Sequence, residues 1–181
     1  MSDFKTVSAS KITLSELMLP SHTNFSGKIH GGYILSLLDQ IAFASASKFC
    51  GNYCVTASVD TVDFLNPIEV GELVTLKASV NYVGKSSMIV GIRVEAENIR
   101  TGKVKHCNSS YFTMVAKNEE GKNVAVPGLI ISNNEEIRRF FECLNQIKNK
   151  KEKNIDESTF NFNTTEALLQ LKNYNVRVEI I

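Results

Sequence analysis

The sequence has no long apolar run and no excess of charge of either sign. Its 181 residues contain 20 Lys and Arg against 19 Asp and Glu, which gives a formal net charge of +1. This balance does not support nucleic-acid binding, which needs a basic surface. No stretch approaches the roughly 20 apolar residues that cross a bilayer, and no apolar signal-peptide core follows the first methionine. We therefore expect a cytoplasmic protein that binds neither nucleic acid nor membrane.

The chain also lacks the cysteine and histidine spacings of metal sites. Its four cysteines, Cys50, Cys54, Cys107 and Cys143, form no Cys-x-x-Cys pair, and no set of Cys and His has zinc-ligand spacing. Thiols in the cytoplasm stay reduced. We expect four reduced structural cysteines and no bound metal.

The residues that are present form the pattern of a folded domain. Hydrophobic residues make up 43% and charged residues 22% of the chain, and its length suits one core. Before residue 128, periodicity and turn signals predict one helix and five strands. The strands lie within residues 4–19 and at 53–64, 72–83, 87–99 and 103–116, and the helix lies at 31–49. Short turns between the strands predict an antiparallel sheet that covers the helix, because βαβ alternation is absent.

The predicted helix is apolar on nearly every side and contains a single acid. One broad face consists of Ile34, Leu37, Leu38, Ile41 and Ala42. A helix of this kind is normally buried, and Asp39 lies outside its narrow polar strip. Burial raises the pKa of a carboxylate and makes it a better base. Asp39 is therefore either a catalytic base or a buried, hydrogen-bonded structural residue.

The composition changes after Pro127 and Gly128. A helix that is basic at its end is predicted at residues 133–153, an irregular segment at 154–163, a short helix at 167–171 and a strand at 175–181. We therefore place a folded domain at residues 1–128. Residues 129–181 form a C-terminal extension, helical in part, whose role the sequence does not give.

Three blocks of sequence resemble those of one family. TNFSGKIHGGYILSLLDQIAFASA is similar to the Asn-x-x-Gly-x-x-x-Gly-Gly pattern, followed by Asp, of the hotdog-fold acyl-CoA thioesterases, the acyl-CoA hydrolase family. VDTVDFLNPIEVGELVTLKASVNYVGKSSM resembles that family's Asp-x-x-x-Phe-x-x-Pro-x-x-x-Gly block and its Val-Gly-x-[Ser/Thr]-Ser-Met turn. The resemblance covers residues 7–127. It implies an α+β hotdog fold, in which an antiparallel sheet wraps around one long central helix.

The resemblance also implies an activity and an assembly. Enzymes of this kind hydrolyse acyl-CoA to a free fatty acid and coenzyme A, and they need no metal and no organic cofactor. Their active sites lie between two protomers, which implies a homodimer at least. Many assemble as hexamers, as trimers of such dimers.

Two residues match the family's catalytic positions, Asp39 and Asn24. Asp39 would activate water as a general base, or attack the thioester directly through an anhydride, and the sequence leaves both routes open. Asn24 would orient the water or hold the carbonyl, although by itself it fits an Asx turn. By analogy with the family, we expect Asn24 of one protomer to face Asp39 of the other.

The double glycine at the helix start is the candidate substrate-binding segment. Gly31 and Gly32 offer N–H groups at the positive end of the helix dipole, which can stabilise an oxyanion. Close packing of the helix against a strand is the alternative explanation. We expect His30, which precedes them, to position this segment, because similar enzymes do not all have His there.

The turn formed by Gly84, Lys85, Ser86 and Ser87 is the candidate coenzyme A contact. Its cation, hydroxyls and N–H groups suit phosphate binding, and the corresponding turn of similar enzymes lies near the nucleotide. Many of those enzymes have Arg where this chain has Lys85, so the charge is kept and the bidentate geometry is lost.

Two other functions are compatible with this fold. One is a non-catalytic module that binds or senses acyl-CoA, and the presence of both Asn24 and Asp39 counts against it. The other is a hotdog dehydratase or hydratase, which pairs a His with a carboxylate. No histidine of this chain stands in such a motif.

Overall fold

The computed structural model describes residues 3–159 and the side chains of residues 3–150. The strands and helices, in chain order, are β1 (Phe4–Thr6), β2 (Ile12–Leu17), α1 (Gly31–Cys50), β3 (Tyr53–Val59), β4 (Glu72–Val83), β5 (Ser87–Asn98), β6 (Lys103–Lys117), β7 (Gly128–Ile130) and α2 (Asn134–Thr159). Within the described residues, no helix has both the length and the apolarity that a membrane crossing needs. The helix and strand predicted at 167–171 and 175–181 lie outside the described residues.

Five strands form a curled antiparallel sheet in the order β2-β4-β5-β6-β3. The three central strands are the longest, with 12, 12 and 15 residues. Tight turns join them, and Gly102 adopts a φ of 69° in the turn between β5 and β6, where a residue with a Cβ would be strained. This sheet confirms the predicted antiparallel topology, and it leaves β2 and β3 as its two edges.

The core lies between α1 and the sheet. Alternate residues of a strand point to the same face, and one face of the central strands is aliphatic. The fully buried side chains of this core include Ile34, Leu38 and Phe49 of α1 and Val74, Leu76, Val80, Val90, Val94, Phe112 and Met114 of the sheet. The hotdog architecture predicted from the sequence is therefore confirmed.

Helix α1 has a defined start and end. His30 is its N-cap residue, and Gly51 follows its last residue with a φ of 74° and donates its N–H to Ser47 O at 2.8 Å. A glycine in the left-handed conformation is a common way to end a helix. The helix consequently spans 20 residues and presents one side to the solvent.

The prediction that α1 is buried on nearly every side is wrong for the single chain. Leu35 is 37% exposed and Phe43 is 38% exposed, and Asp39 between them is also exposed. Spacings of four residues put these three side chains on one stripe. The five strands of one chain cover the opposite face, so this stripe remains uncovered.

Some boundaries differ from those predicted. The first predicted strand is split by a 3-10 turn at Val7–Ser10, and β1 pairs in parallel with β7, which the sequence did not predict. The strand predicted at 53–64 ends at Val59. Helix α2 continues to Thr159, so residues 154–159 are helical where an irregular segment was predicted.

The chain divides into two compact units, Met1–Cys143 and Leu144–Ile181, and the division falls inside α2. Within the first unit, Phe140 packs on Tyr82 with ring centroids 5.4 Å apart, and Tyr111 donates its hydroxyl to Glu142 Oε2 at 2.9 Å. The start of α2 therefore contacts β4 and β6. The division between domain and extension at residue 128 stays a prediction.

Candidate active site

Asp39 forms a hydrogen-bonded pair with a residue of the neighbouring edge strand. Thr56 of β3 donates its hydroxyl to Asp39 Oδ1 at 2.6 Å. The bond fixes one carboxylate oxygen and leaves Oδ2 available to another donor. Sequence analysis missed Thr56, because a threonine on a strand is ordinary and nothing in the sequence links it to a residue 17 positions earlier.

Asp39 also lines an open cleft of about 540 Å³. The residues around this cleft are Gly32, Leu35, Ser36, Asp39, Val59, Val62 and Phe112. Asp39 is the single ionisable residue in that set, and the other walls are mostly apolar. The cleft therefore combines a surface that suits an alkyl chain with one carboxylate.

The prediction that Asp39 is buried is wrong for the isolated chain, because its side chain is exposed. The sequence pattern implied burial, since the helix around Asp39 is apolar. The flanking Leu35 and Phe43 are exposed as well. One chain by itself thus leaves both the acid and its apolar surroundings in contact with solvent.

Asn24 shapes its own loop. Its Oδ1 accepts hydrogen bonds from the N–H of Ser26 at 2.9 Å, the hydroxyl of Ser26 at 2.7 Å and the N–H of Lys28 at 3.2 Å. This is the Asx-turn geometry that the sequence allowed. Within residues 3–159, its amide nitrogen Nδ2 makes no hydrogen bond, and Asn24 does not line the cleft of Asp39. Its catalytic role stays a prediction.

His30 caps the helix that contains Asp39. Its Nδ1 accepts the N–H of Gly32 at 2.9 Å, and its own N–H donates to His22 O at 2.8 Å. A cap of this type satisfies a backbone donor that the helix leaves free. The N–H of Gly32 is therefore hydrogen-bonded within the chain, whereas the N–H of Gly31 has no hydrogen-bond partner among the described residues.

A Cβ would be crowded by a side chain at both glycines. A Cβ on Gly32 would lie 2.9 Å from His30 Cε1, and one on Gly31 would lie 3.3 Å from the ring of Phe64. Close packing is thus tight at both glycines, and at Gly31 the ring of Phe64 would need to move by a few tenths of an ångström. The oxyanion role predicted for Gly31, Gly32 and His30 remains a prediction.

The turn at residues 84–87 is held in place by backbone bonds. Gly84 donates its N–H to Ser87 O at 2.7 Å, and the carbonyls of Lys85 and Ser86 accept from Val126 and Ala116 at 3.1 and 2.9 Å. The side chain of Lys85 is exposed. The turn does not contribute to the lining of the Asp39 cleft, and its contact with coenzyme A stays a prediction.

No metal centre is formed by the side chains that the structure describes: no three His, Cys, Asp or Glu residues among them lie close enough to hold an ion. All four cysteines are free thiols in the structure, and the expectation that they are reduced and structural stays a prediction. The expectation that catalysis needs no cofactor remains a prediction.

The fold is a hotdog fold, and comparison with known proteins identifies its family. Residues 26–103 match the model of the Thioesterase superfamily. The chain is 44% identical over 135 residues to Helicobacter pylori protein VdlD. This match covers 75% of this chain and 77% of VdlD.

Among solved structures, two similar ones are an acyl-CoA thioesterase and an acyl-CoA hydrolase. A hexameric acyl-CoA thioesterase superposes with a TM-score of 0.81 at 35% identity, over 83% of this chain and 97% of its own. The acyl-CoA hydrolase of Staphylococcus aureus, in complex with butyryl coenzyme A, coenzyme A and coenzyme A disulfide, gives a TM-score of 0.79 at 32% identity, over 86% and 94% of the two chains. The protein belongs to the acyl-CoA hydrolase family of hotdog-fold thioester hydrolases.

The Staphylococcus aureus enzyme has also been solved as three alanine variants, of an asparagine, an aspartate and a threonine. Those three residues are separated by the same numbers of positions as Asn24, Asp39 and Thr56 of this chain.

Proposed function

We propose that this protein is an acyl-CoA thioesterase that hydrolyses acyl-CoA to a free fatty acid and coenzyme A. The observation that supports it most is the hydrogen bond from Thr56 to Asp39 at the wall of an apolar cleft. A carboxylate oriented beside a surface for an alkyl chain suits the hydrolysis of an acyl thioester. The matching spacing of the three residues replaced in the Staphylococcus aureus enzyme adds support.

Asp39 acts as a general base in this proposal. Thr56 holds Oδ1, so Oδ2 accepts the proton of a water that attacks the thioester carbonyl carbon. The tetrahedral intermediate collapses, the C–S bond breaks, and the coenzyme A thiolate leaves and takes up a proton. Attack by Asp39 itself through an anhydride uses the same residue and the same geometry, and the site geometry favours neither route.

The start of α1 stabilises the developing oxyanion. The N–H of Gly31 has no partner in the described part of the chain and lies at the positive end of the helix dipole. His30 holds the N–H of Gly32, so its role is to fix the first turn. In this proposal the substrate carbonyl therefore approaches the N–H of Gly31.

A second protomer completes the site. The exposed stripe of Leu35, Asp39 and Phe43 lies beside β3, an edge strand of the sheet. A partner that covers the stripe would remove Asp39 from solvent. The same partner would supply the unused amide of its own Asn24. We therefore include a homodimer in the proposal, and a hexamer as a trimer of dimers is consistent with the hexameric thioesterase of the same fold.

Coenzyme A binds at the turn of residues 84–87 in this proposal, with the exposed ammonium of Lys85 beside a phosphate. No organic cofactor takes part, because water, a carboxylate and backbone donors suffice for the hydrolysis. The cytoplasm, where acyl-CoA is made and used, is the proposed location. No observation favours the non-catalytic sensing module.

The decisive experiment is a screen of acyl-CoA substrates from acetyl to palmitoyl, in which the released thiol is detected. We expect hydrolysis by the wild-type protein and a fall in kcat of about 100-fold or more for Asp39→Asn, which keeps the shape and removes the base. Asp63→Asn is the matched control, since Asp63 is an exposed aspartate outside the cleft. Equal rates for wild type and Asp39→Asn would exclude the mechanism, and no wild-type hydrolysis of any substrate would exclude the function.

A further inference from the structure

Two of the four cysteines lie in contact where α1 ends and β3 begins. Cys50 is the last residue of α1, Cys54 is the second residue of β3, and their sulfurs are 3.4 Å apart. Gly51, with its φ of 74°, turns the chain back so that the two residues meet. A disulfide has an S–S distance of about 2.05 Å, so the sulfurs need to approach by roughly 1.4 Å.

The surroundings make the two thiols unequal. The hydrogen bond from Cys54 lowers the pKa of Cys50 to about 6, and the nearby ammonium of Lys5 acts in the same direction. That bond and burial raise the pKa of the Cys54 thiol. Cys50 is also the more accessible of the two, with 8% of its surface exposed against 1% for Cys54. Cys50 therefore ionises first and is the residue of the pair with more exposed surface.

The other two cysteines lack these properties. Burial raises the pKa of Cys107, and it raises that of Cys143 to about 12. Both residues have no exposed surface. The thiolate is the reactive form of cysteine, so the chain contains two inert buried thiols beside the Cys50–Cys54 pair.

We propose that Cys50 and Cys54 are a redox modification site, which a peroxide converts to a reversible disulfide that slows catalysis at Asp39. The Cys50 thiolate attacks one oxygen of hydrogen peroxide, the O–O bond breaks, and the departing hydroxide takes up a proton to become water. Cys54 then attacks the sulfur of the resulting sulfenic acid, and the S–OH bond breaks to release a second water. The two sulfurs lose two electrons and one peroxide becomes two waters.

The disulfide acts on the site through β3. Cys54 lies two residues before Thr56, whose hydroxyl holds Asp39, and Cys50 lies at the end of the helix that contains Asp39. Drawing the sulfurs together shifts the start of β3 relative to α1. A catalytic carboxylate is sensitive to small misplacements, so we expect a severalfold lower kcat after oxidation. This effect rests on the proposed function, whereas formation of the disulfide does not.

The experiment exposes the reduced, full-length protein to hydrogen peroxide, alkylates the remaining thiols and determines masses. We expect the number of free thiols to fall from four to two, with the loss of two hydrogen atoms inside the one tryptic peptide that contains Cys50 and Cys54. A reducing agent restores four thiols. The Cys54→Ser variant is expected to stop at a Cys50 sulfenic acid, which a dione reagent traps, and Cys107→Ser is the control that still forms the disulfide.

Activity measured on the same samples tests the proposed effect of the disulfide on catalysis. Oxidised wild-type protein is expected to hydrolyse acyl-CoA several times more slowly than reduced protein, and reduction restores the rate. Cys54→Ser is expected to lose less activity with peroxide. The proposed modification site is wrong if Cys50 and Cys54 are both still alkylated after exposure to peroxide, or if either forms a disulfide with another chain. If the disulfide forms and the rate of acyl-CoA hydrolysis does not change, the proposed effect on catalysis is wrong. If the reduced wild-type protein hydrolyses no acyl-CoA, the proposed function is wrong instead.

Discussion

The hydroxyl of Thr56 lies 2.6 Å from Oδ1 of Asp39 and joins the edge strand β3 to the middle of α1. A hydrogen bond to a charged group contributes about 1.5–3 kcal/mol. Thr56→Val keeps the shape of the side chain and removes the donor. We therefore expect it to lower kcat by roughly tenfold or more, whereas Thr56→Ser retains most of the activity.

Steady-state kinetics with one acyl-CoA checks this expectation. Thr75→Val is the matched control, because Thr75 pairs with Ser15 on another part of the sheet, at 2.9 Å. If Thr56→Val and Thr75→Val have the same kcat, Thr56 does not orient the base.

A second prediction concerns the sharing of the site between protomers. Asn24→Asp keeps the oxygen that accepts from Ser26 and Lys28 and removes the unused amide donor. We expect this variant and Asp39→Asn each to be nearly inactive. In a mixed dimer of the two, one site combines the intact Asn24 of one chain with the intact Asp39 of the other, so activity returns.

Co-expression of the two variants with different tags, followed by purification through both tags, provides the mixed assembly. Its rate is compared with that of each parent assembly. If both residues of one site come from the same chain, every site of the mixed dimer has a defect and no activity returns. Thermal unfolding of Asn24→Asp, expected to match the wild type, excludes simple misfolding.

Local sequence patterns predicted the elements of the sheet well. The bounds of β4 agree with the prediction, and β5 and β6 differ by a single residue each. Alternating residues and turn signals suffice there, because the chain continues straight from one strand to its neighbour. The parallel pairing of Phe4 with Gly128 joins the two ends of the domain, and no local pattern contains that information.

The site was only partly predictable. Asp39 stands out because an acid in an apolar helix needs an explanation. The role of His30 as a cap is consistent with its place before the helix. Thr56 became visible only in the structure, since its partner belongs to another element. The exposure of Asp39 depends on a surface that one chain does not cover, and the hydrophobicity of Leu35 and Phe43 could not reveal which neighbour covers them.

A third prediction concerns the buried acid Glu72, which is 7% exposed. Its Oε1 lies 2.9 Å from Lys105 Nζ, and its Oε2 accepts the N–H of Glu69 at 2.9 Å. Lys105→Met leaves this carboxylate without its cation. Removing one partner of a buried pair is costly, and because Lys105 is partly exposed we expect the free energy of unfolding to fall by about 2 kcal/mol.

Urea unfolding followed by circular dichroism measures that change. Lys77→Met is the matched control, since Lys77 pairs with Glu95 at 2.7 Å but is half exposed, and exposed pairs contribute less than about 1 kcal/mol. Equal losses for the two variants would show that the burial of Glu72 does not make the loss of its partner costlier.

The last prediction follows from the lowered pKa of Cys50. Its thiolate predominates above pH 6 or so, so its reaction with a small alkylating reagent is expected to rise with pH through a midpoint near 6 and then to level off. Cys143, with a pKa raised to about 12 by burial, stays unmodified over the same range. Cys54→Ala removes the donor to Cys50, and we expect the midpoint to move upward, toward the ordinary value of about 8.5 for a cysteine.

Peptide mass spectrometry of samples alkylated for a fixed time at a series of pH values gives both curves. Cys107→Ala is the control, because Cys107 makes no hydrogen bond to Cys50 or Cys54 among the described residues. In this variant the midpoint for alkylation of Cys50 is expected to equal that of wild type. A wild-type midpoint that does not change in Cys54→Ala would mean that the hydrogen bond between the two sulfurs does not stabilise the Cys50 thiolate. The low pKa of Cys50 would then come from the backbone hydrogen bonds and the charge of Lys5 instead.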